Sequence, residues 1–207
     1  EATMYFSSDR PSGFGGSDLW QVAIHPSGAF GGPVNMGSAI NTEARETFPF
    51  VTPTGELYFS SDGRVGLGGL DVYATKLDKN SNPGEIHNLG APINSNADDF
   101  AYYIDNSSKQ GFFSSNREGG KGNDDIYSFY ETKPLQLECM QKLLLTVVDS
   151  KTRNIIPDAN VTLYNRLYTE LETSNRYENN AYVFNNEFKC GEGYRLKIEK
   201  NEYTTKE

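Results

Sequence analysis

Residues 57–73 read LYFSSDGRVGLGGLDVY, and two closely similar stretches lie on either side of them in the chain. Residues 4–20 read MYFSSDRPSGFGGSDLW, and residues 111–127 read GFFSSNREGGKGNDDIY. The aligned Phe6 and Phe59 are 53 residues apart, and the third stretch follows after another 54. Self-similarity at a nearly constant period is the sequence signature of a structure built from repeated units.

A second short motif recurs in the same register between these stretches. It reads Gly37-Ser-Ala-Ile-Asn41 and, 53 residues later, Gly90-Ala-Pro-Ile-Asn94. The complete repeat between the two motifs predicts four strands separated by turns and a glycine-rich loop, at residues 48–52, 57–61, 71–76 and 85–89. Four short antiparallel strands in about 50 residues are typical of one blade of a β-propeller.

The composition favours the same fold class. Aromatic residues make up 13% of the chain, there are 20 glycines, and no convincing run has apolar residues at helical spacing. The sequence therefore predicts an all-β chain in which residues 1–130 form a partial β-propeller of about two and a half four-stranded blades. Because a closed propeller needs at least about four blades, we expect this part to belong to a larger propeller.

The glycine-rich repeat ends near residue 130, and residues 131–141 read as a linker around Pro134. Alternating apolar and polar residues then predict short strands at 143–149, 157–164, 169–173, 181–185 and 194–199. In the second of these strands one face is expected to carry Ala159, Val161 and Leu163, and the other Asn160, Thr162 and Tyr164. Residues 142–207 are predicted to form a small antiparallel β-sandwich.

The repeated motif has a structural and a functional interpretation. Its members in the three copies are Ser8, Asp9, Asp18 and Trp20; Ser61, Asp62, Asp71 and Tyr73; and Ser115, Asn116, Asp125 and Tyr127. In the structural interpretation, the Ser and Asp side chains hydrogen-bond backbone amides and fasten a tight glycine-rich loop. In the functional one, carboxylates such as Asp9 and Asp18 bind a cation or a sugar. We favour the structural one because the motif recurs in every unit, and because Asn116 would leave a calcium ligand set incomplete.

No pattern of catalytic residues is present in the sequence. There is no Gly-x-Ser-x-Gly motif, and the loops at 13–16 and 66–69 lack the Lys-Ser/Thr of a phosphate-binding loop. His25 and His87 occupy non-equivalent positions in their repeats and have no further ligand at metal-binding spacing. We therefore expect no enzyme, no catalytic residue, no cofactor and no metal ion.

Charge and cysteine content limit the partners and the compartment. The net charge of −9 argues against nucleic acid, because an acidic surface repels phosphates. No run of about 18 apolar residues is found, so no membrane-spanning segment is expected. Cys139 and Cys190 are either two separate thiols or one disulfide, which would place the chain in an oxidising compartment and stabilise it by about 4 kcal/mol.

Both parts of the chain resemble known families. The repeats of residues 1–130 are similar to the WD-like β-propeller repeats of periplasmic OmpA-family lipoproteins. The segments TVVDSKTRNIIPDANVTLYN, AYVFNNEF and GYRLKIEKNEY resemble the carboxypeptidase regulatory-like, transthyretin-like domain. Here Glu202-Tyr203 stands where that domain usually has Gly-Tyr, and its last strand is missing, so this sandwich is expected to be truncated. Ser60-Ser61-Asp62-Gly63 partly matches a sialidase Asp-box, but the Trp expected shortly after it is absent.

A propeller followed by such a sandwich is the domain order of the PorE-like lipoproteins of type IX secretion. This resemblance implies a non-enzymatic protein-interaction scaffold of the bacterial cell envelope, located in the periplasm and associated with the outer membrane. It implies other envelope proteins as partners, and peptidoglycan only through a domain that this chain does not contain. Two alternatives stay open: a carbohydrate- or peptidoglycan-fragment-binding module, suggested by the aromatic residues and acidic loops, and a sialidase-like glycosidase, suggested by the partial Asp-box alone.

Overall fold

The computed structural model describes residues 2–138, 140–174, 176–185, 188–189 and 192–203. Every regular element in these residues is a β-strand, which confirms the prediction of an all-β chain. The strands form several small antiparallel sheets, none of which closes on itself. Nothing in this part of the chain is a helix long and apolar enough to cross a membrane. The chain divides into two compact units, Glu1–Leu137 and Glu138–Glu207.

The first unit contains three antiparallel sheets that follow one another along the chain. The first sheet consists of β1 (Ala2–Ser8), β2 (Asp18–Ile24) and β3 (Val34–Asn35). The middle sheet consists of β4 (Glu46–Val51), β5 (Glu56–Ser61), β6 (Asp71–Lys76) and β7 (His87–Asn88). The third sheet consists of β8 (Asp99–Asp105), β9 (Gln110–Ser115) and β10 (Asp125–Tyr130), with β9 in the centre. The four strands predicted for the middle sheet agree with β4 to β7 to within two residues at each end.

The three repeated stretches fold into hairpins with the same register. The Ser and Asp of the motif face each other in every hairpin, as Ser8–Asp18, Ser61–Asp71 and Ser115–Asp125. The aromatic pairs are aligned in the same way, as Phe6–Trp20, Phe59–Tyr73 and Phe113–Tyr127. Because side chains alternate between the two faces of a strand, equal register places equivalent residues on equivalent faces. The repeat in the sequence is therefore also a repeat in the structure.

β4 and β8 share an irregularity that the sequence pattern did not predict. The pairing register shifts between Thr47 and Phe50 in β4, and the same happens in β8 on either side of Ala101. Phe48 has a φ of 52° and Ala101 a φ of 53°, a left-handed conformation that is uncommon for residues other than glycine. A bulge of this kind takes residues out of the alternation of a strand. This explains why the apolar pattern placed the start of β4 at Phe48 instead of Glu46.

The middle sheet is buried on both faces. Val72 and Ala74 point to one side of β6 and pack in a cluster with Tyr102 of β8. Tyr73 points to the other side and packs in a cluster with Leu19 of β2. Alternation along β6 therefore directs successive side chains into two different clusters. Full burial of one large apolar side chain contributes about 1.5–3 kcal/mol, so these two clusters account for much of the stability of the first unit.

The described residues of the second unit form eight short strands in three antiparallel sheets. The strands are β11 (Met140–Gln141), β12 (Leu144–Leu145), β13 (Asn160–Tyr164), β14 (Glu170–Ser174), β15 (Tyr177–Glu178), β16 (Ala181–Val183), β17 (Phe188–Lys189) and β18 (Arg195–Glu199). The sheets are β11-β17, β12-β16-β15 and β14-β13-β18. Their shared core includes Val161, Leu163, Tyr182 and Phe184.

The structure of the second unit differs in part from the sequence predictions. The strand predicted at 143–149 is regular only at Leu144–Leu145, where it pairs with β16. Val148 then forms an isolated bridge with Ile155, and between these two residues the chain turns where Asp149 accepts hydrogen bonds from loop amides. Val161 and Leu163 of β13 and Ala159 just before it, which were expected to share one face, are all buried, but Thr162 on the opposite face is buried too. β13 is the central strand of its sheet, and Thr162 lies beside Thr173, whose hydroxyl is 3.0 Å from its own. Cys139 and Cys190 lie outside the described residues.

Candidate functional site

The glycine-rich loops of the three hairpins lie at equivalent ends of their sheets, and the first two contact the segment that enters the next sheet. The N–H of Gly16 donates to the carbonyl of Ala44 at 2.6 Å, and that of Glu46 donates to Ser17 at 2.7 Å. One repeat later, the N–H of Asp99 donates to the carbonyl of Leu70 at 2.6 Å. We call the resulting continuous surface the loop rim; it comprises loops 9–17, 62–70 and 116–124 with entry segments 42–45 and 95–98.

One aspartate holds each of these loops in place. Asp18 accepts the N–H groups of Phe14 and Gly15, at 2.6 and 3.1 Å. Asp71 accepts those of Leu67 and Gly68, at 2.8 and 3.1 Å. Asp125 accepts those of Lys121 and Gly122, at 2.7 and 3.0 Å. Asp18 and Asp71 are buried, and a buried carboxylate requires such donors. These are the contacts that the structural interpretation of the motif requires.

The close approach of the carboxylate explains one of the glycines in each loop. A Cβ atom at Gly66 would lie 1.8 Å from Oδ2 of Asp71, and one at Gly120 would lie 2.0 Å from Oδ2 of Asp125. No side chain fits in that distance, so the loop closes over the aspartate only where this residue is glycine.

The first acidic position of the motif joins two neighbouring sheets. In the middle sheet, Asp62 accepts the N–H of Arg45 at 2.8 Å and forms an ion pair with its guanidinium at 2.7 Å. Burial opposes ionisation, but the N–H and the guanidinium of Arg45 together hold the pKa of Asp62 below its ordinary value. In the third sheet, Asn116 accepts the N–H of Asp98 at 2.7 Å and donates to its carboxylate at 3.2 Å. The motif therefore has Asp62 where its partner is Arg45 and Asn116 where its partner is Asp98. Asp9, the member of the first copy, is exposed.

The serines of the motif bond side chains of their own sheet or of the loop that follows them. The hydroxyls of Ser8 and Ser115 accept hydrogen bonds from the Nε groups of Arg10 and Arg117, at 3.3 and 2.9 Å. Ser61 instead donates to the carboxylate of Glu46 at 2.7 Å.

Two buried carboxylates that sequence reasoning missed lie beneath the rim. Glu46 accepts the N–H of Thr42 (2.7 Å), its hydroxyl (2.6 Å) and the hydroxyl of Ser61. Asp99 accepts the N–H of Ser95 at 2.6 Å and its hydroxyl at 2.8 Å. The signal that could have identified them is an acidic residue four positions after a Thr or Ser, repeated 53 residues later. Both carboxylates serve to anchor the entry segments.

The aromatic members of the motif pack against their own hairpins. Tyr73 stacks on Phe59 and Tyr127 on Phe113, with ring centroids 5.9 and 5.5 Å apart. Trp20 is buried, and the guanidinium carbon of Arg10 lies 5.0 Å from the centre of its ring. These rings thus contribute to the packing of their own hairpins.

The described residues contain no group of three or more His, Cys, Asp or Glu side chains that could hold a metal ion. Asp18, Asp71 and Asp125 belong to three different sheets, and each accepts hydrogen bonds from the amides of its own loop. The arrangement fastens each loop to the aspartate of its own hairpin, and the surface that these loops carry is the candidate site.

Apolar side chains stand exposed at the top of the loop rim. Phe14 and Leu67 occupy equivalent positions on adjacent loops and are 50% and 55% exposed, and Val65 beside them is almost fully exposed. A single exposed apolar residue is ordinary, but a row of them on fixed loops suits contact with another macromolecule. The loop rim also carries polar residues, such as the ion pair of Arg45 and Asp62, and a mixture of apolar and polar residues is the usual composition of a protein interface.

No family model, curated protein or solved structure matches this chain.

Proposed function

We propose that this chain is a non-enzymatic protein-interaction scaffold of the bacterial cell envelope. In this proposal the first unit is a partial β-propeller of about two and a half blades, and the second is a carboxypeptidase regulatory-like β-sandwich. The chain acts in the periplasm as an outer-membrane-associated component of a secretion machine of the type IX kind, with other envelope proteins as its partners. The resemblance of its repeats and sandwich to PorE-like lipoproteins supports this assignment.

The observation that carries the binding role is the row of Phe14 and Leu67 on the loop rim. Both residues donate their backbone N–H to a carboxylate of the motif, at 2.6 and 2.8 Å. The loops are therefore ordered before a partner arrives, and little conformational entropy is lost on binding. Apolar anchors on a preorganised surface are the feature that gives protein interfaces most of their affinity.

The experiment is affinity capture from envelope extract with the full chain as bait. We expect stoichiometric partners to be retained by the native chain and lost with the double variant Phe14→Ser/Leu67→Ser. Leu167→Ser is the matched control, since Leu167 is equally apolar and highly exposed but lies in the second unit. If no stoichiometric partner is recovered, or if the rim variant retains the same partners as the control, the proposal is wrong.

A pocket in the second unit favours a second candidate function, the binding of a carbohydrate or peptidoglycan fragment. The pocket has a volume of about 460 Å³ and is lined by Tyr164, Tyr168, Tyr194, Arg195, Leu196 and Lys197. The guanidinium carbon of Arg195 lies 4.2 Å from the ring centre of Tyr168. Tyrosine rings next to cationic groups suit an acidic sugar, because the ring covers an apolar face and the cation pairs with a carboxylate. Calorimetry with peptidoglycan fragments tests this, and heat of binding that persists in Tyr168→Ala would exclude this pocket.

A further inference from the structure

Two loops of the first unit attach to the neighbouring strand through an asparagine side chain. These asparagine loops, residues 35–41 and 88–94, share the pattern Asn-x-Gly-x-x-Ile-Asn. The side chain of Asn41 accepts the N–H of Leu19 at 2.8 Å and donates to its carbonyl at 3.0 Å. Asn94 makes the same pair of bonds with Val72, at 2.8 and 2.9 Å. Each loop thus mimics a strand at one residue of β2 or β6.

Further contacts make these attachments specific for the loop sequence. The carbonyl of Leu19 also accepts the N–H of Met36, and that of Val72 accepts the N–H of Leu89, both at 3.1 Å. Within the first loop, Oδ1 of Asn35 accepts both the N–H of Gly37 and the Nδ2 group of Asn41, each at 2.8 Å. The pattern therefore shapes the loop before it binds the strand. The Leu19 and Val72 side chains beneath the loops are fully buried.

Ile126 of β10 is the equivalent of Leu19 and Val72 in the third sheet. It pairs with Ser114, as Leu19 pairs with Ser7 and Val72 with Ser60. The Ile126 side chain is 77% exposed, whereas both equivalents are 0% exposed.

The backbone of β10 is also open at this place. β10 is an edge strand of its sheet, and in the part of the chain that the structure describes no further strand or asparagine loop pairs with it. Antiparallel pairing directs the N–H and C=O of alternate residues to opposite sides of a strand. The shared register therefore directs those of Ile126 away from β9, as the same groups of Leu19 are directed toward Asn41.

We propose that the β10 edge is a binding site for a polypeptide segment consisting of a short strand followed by Asn-x-Gly-x-x-Ile-Asn. The segment adds to β10 as β3 adds to β2, its last asparagine bonds the N–H and C=O of Ile126, and its loop covers the Ile126 side chain. The two attachments already present in the chain define this occupant, since they cover the equivalent residues Leu19 and Val72. This site lies on the sheet edge and does not depend on the loop rim or on the function proposed for it.

The test uses a synthetic peptide with the sequence of residues 33–42, PVNMGSAINT, and the isotope-labelled full chain. We expect saturable shifts of the Ile126 and Asp125 amide signals. A peptide with Asn41→Ala should bind about tenfold more weakly, because it lacks two hydrogen bonds to the strand. Ile126→Ser in the full chain should weaken binding of the native peptide while leaving the spectrum of the middle sheet unchanged, since Ile126 is exposed.

Several results would overturn the proposal. One is the absence of binding at millimolar peptide, and another is equal binding of the native and Asn41→Ala peptides, which would indicate unspecific strand addition. Shifts confined to the first sheet would mean that the peptide replaces its own segment in the chain. Sedimentation that shows a dimer of the free chain, abolished by Ile126→Ser, would identify a second copy as the occupant instead.

Discussion

Arg117 and Asp99 form an ion pair in which a guanidinium nitrogen lies 2.6 Å from a fully buried carboxylate oxygen. The same guanidinium donates to the carbonyl groups of Pro92 and Ile93, at 2.9 and 2.5 Å. In the middle sheet, Arg64 reaches the equivalent carbonyls of Ala39 and Ile40, both at 2.8 Å. One arginine per junction therefore joins a hairpin to the asparagine loop of the preceding repeat.

Replacement of Arg117 by Ala should destabilise the chain strongly. Asp99 would keep its bonds to Ser95 but lose its counter-ion while remaining buried, which costs about 3 kcal/mol. Urea unfolding measures this loss. Lys109→Ala is the control, because its ion pair with Glu131 is more exposed and should contribute less than about 1 kcal/mol. Equal effects of the two substitutions would contradict the assigned role of Arg117.

Gly66→Ala should lower the melting temperature by several degrees. The added Cβ would meet the Asp71 carboxylate at 1.8 Å, so the loop has to open and both amide bonds to Asp71 weaken. Loss of these charge-assisted bonds is expected to cost about 2–3 kcal/mol. At Gly32 no atom lies within 4 Å of an added Cβ, and Gly32→Ala should be nearly neutral. A neutral Gly66→Ala in a thermal melt would show that the loop is not held by Asp71.

The pairing of Asp98 with Asn116 predicts a charge exchange between repeats. Asn116→Asp should be destabilising, since it places a second carboxylate beside Asp98. The double variant Asn116→Asp/Asp98→Arg should be less destabilised, because it reproduces the Arg45–Asp62 pair. A double-mutant cycle measured by urea unfolding should give a favourable coupling of about 0.5–1 kcal/mol. A coupling of zero would mean that the two positions do not interact.

Glu56 predicts a pH dependence at the other end of the middle sheet. Burial raises its pKa, but hydrogen bonds from Lys76, Thr52 and Thr54 outweigh this and lower the pKa to about 2 from 4.5. Because the folded-state pKa is lowered, the stabilisation is complete above about pH 4.5 and is lost as the pH falls toward 2. Unfolding free energies measured between these pH values should fall more steeply for the native chain than for Glu56→Gln. Parallel curves would contradict this prediction.

The sequence by itself determined the local structure of the first unit. The repeated Ser, Asp and aromatic positions predicted three similar units and, in the complete one, four short strands, because alternation and turn residues act between neighbours in the chain. The glycines predicted the loops, since Gly66 has no room for a side chain beside Asp71. The four strands of the middle sheet and the two faces of β6 follow from the same local rules.

Burial and partnership were decided only by the tertiary structure. Glu46 and Asp99 read as ordinary surface carboxylates, and they are buried because an entry segment and a hairpin close around them. Ile126 has the same local sequence setting as Val72, yet one is exposed and the other buried. The difference arises because a side chain is covered by segments distant in sequence, and an asparagine loop packs over Val72 but not, within the described residues, over Ile126. Alternation along a strand specifies which way a residue points, whereas packing between segments specifies what it meets there.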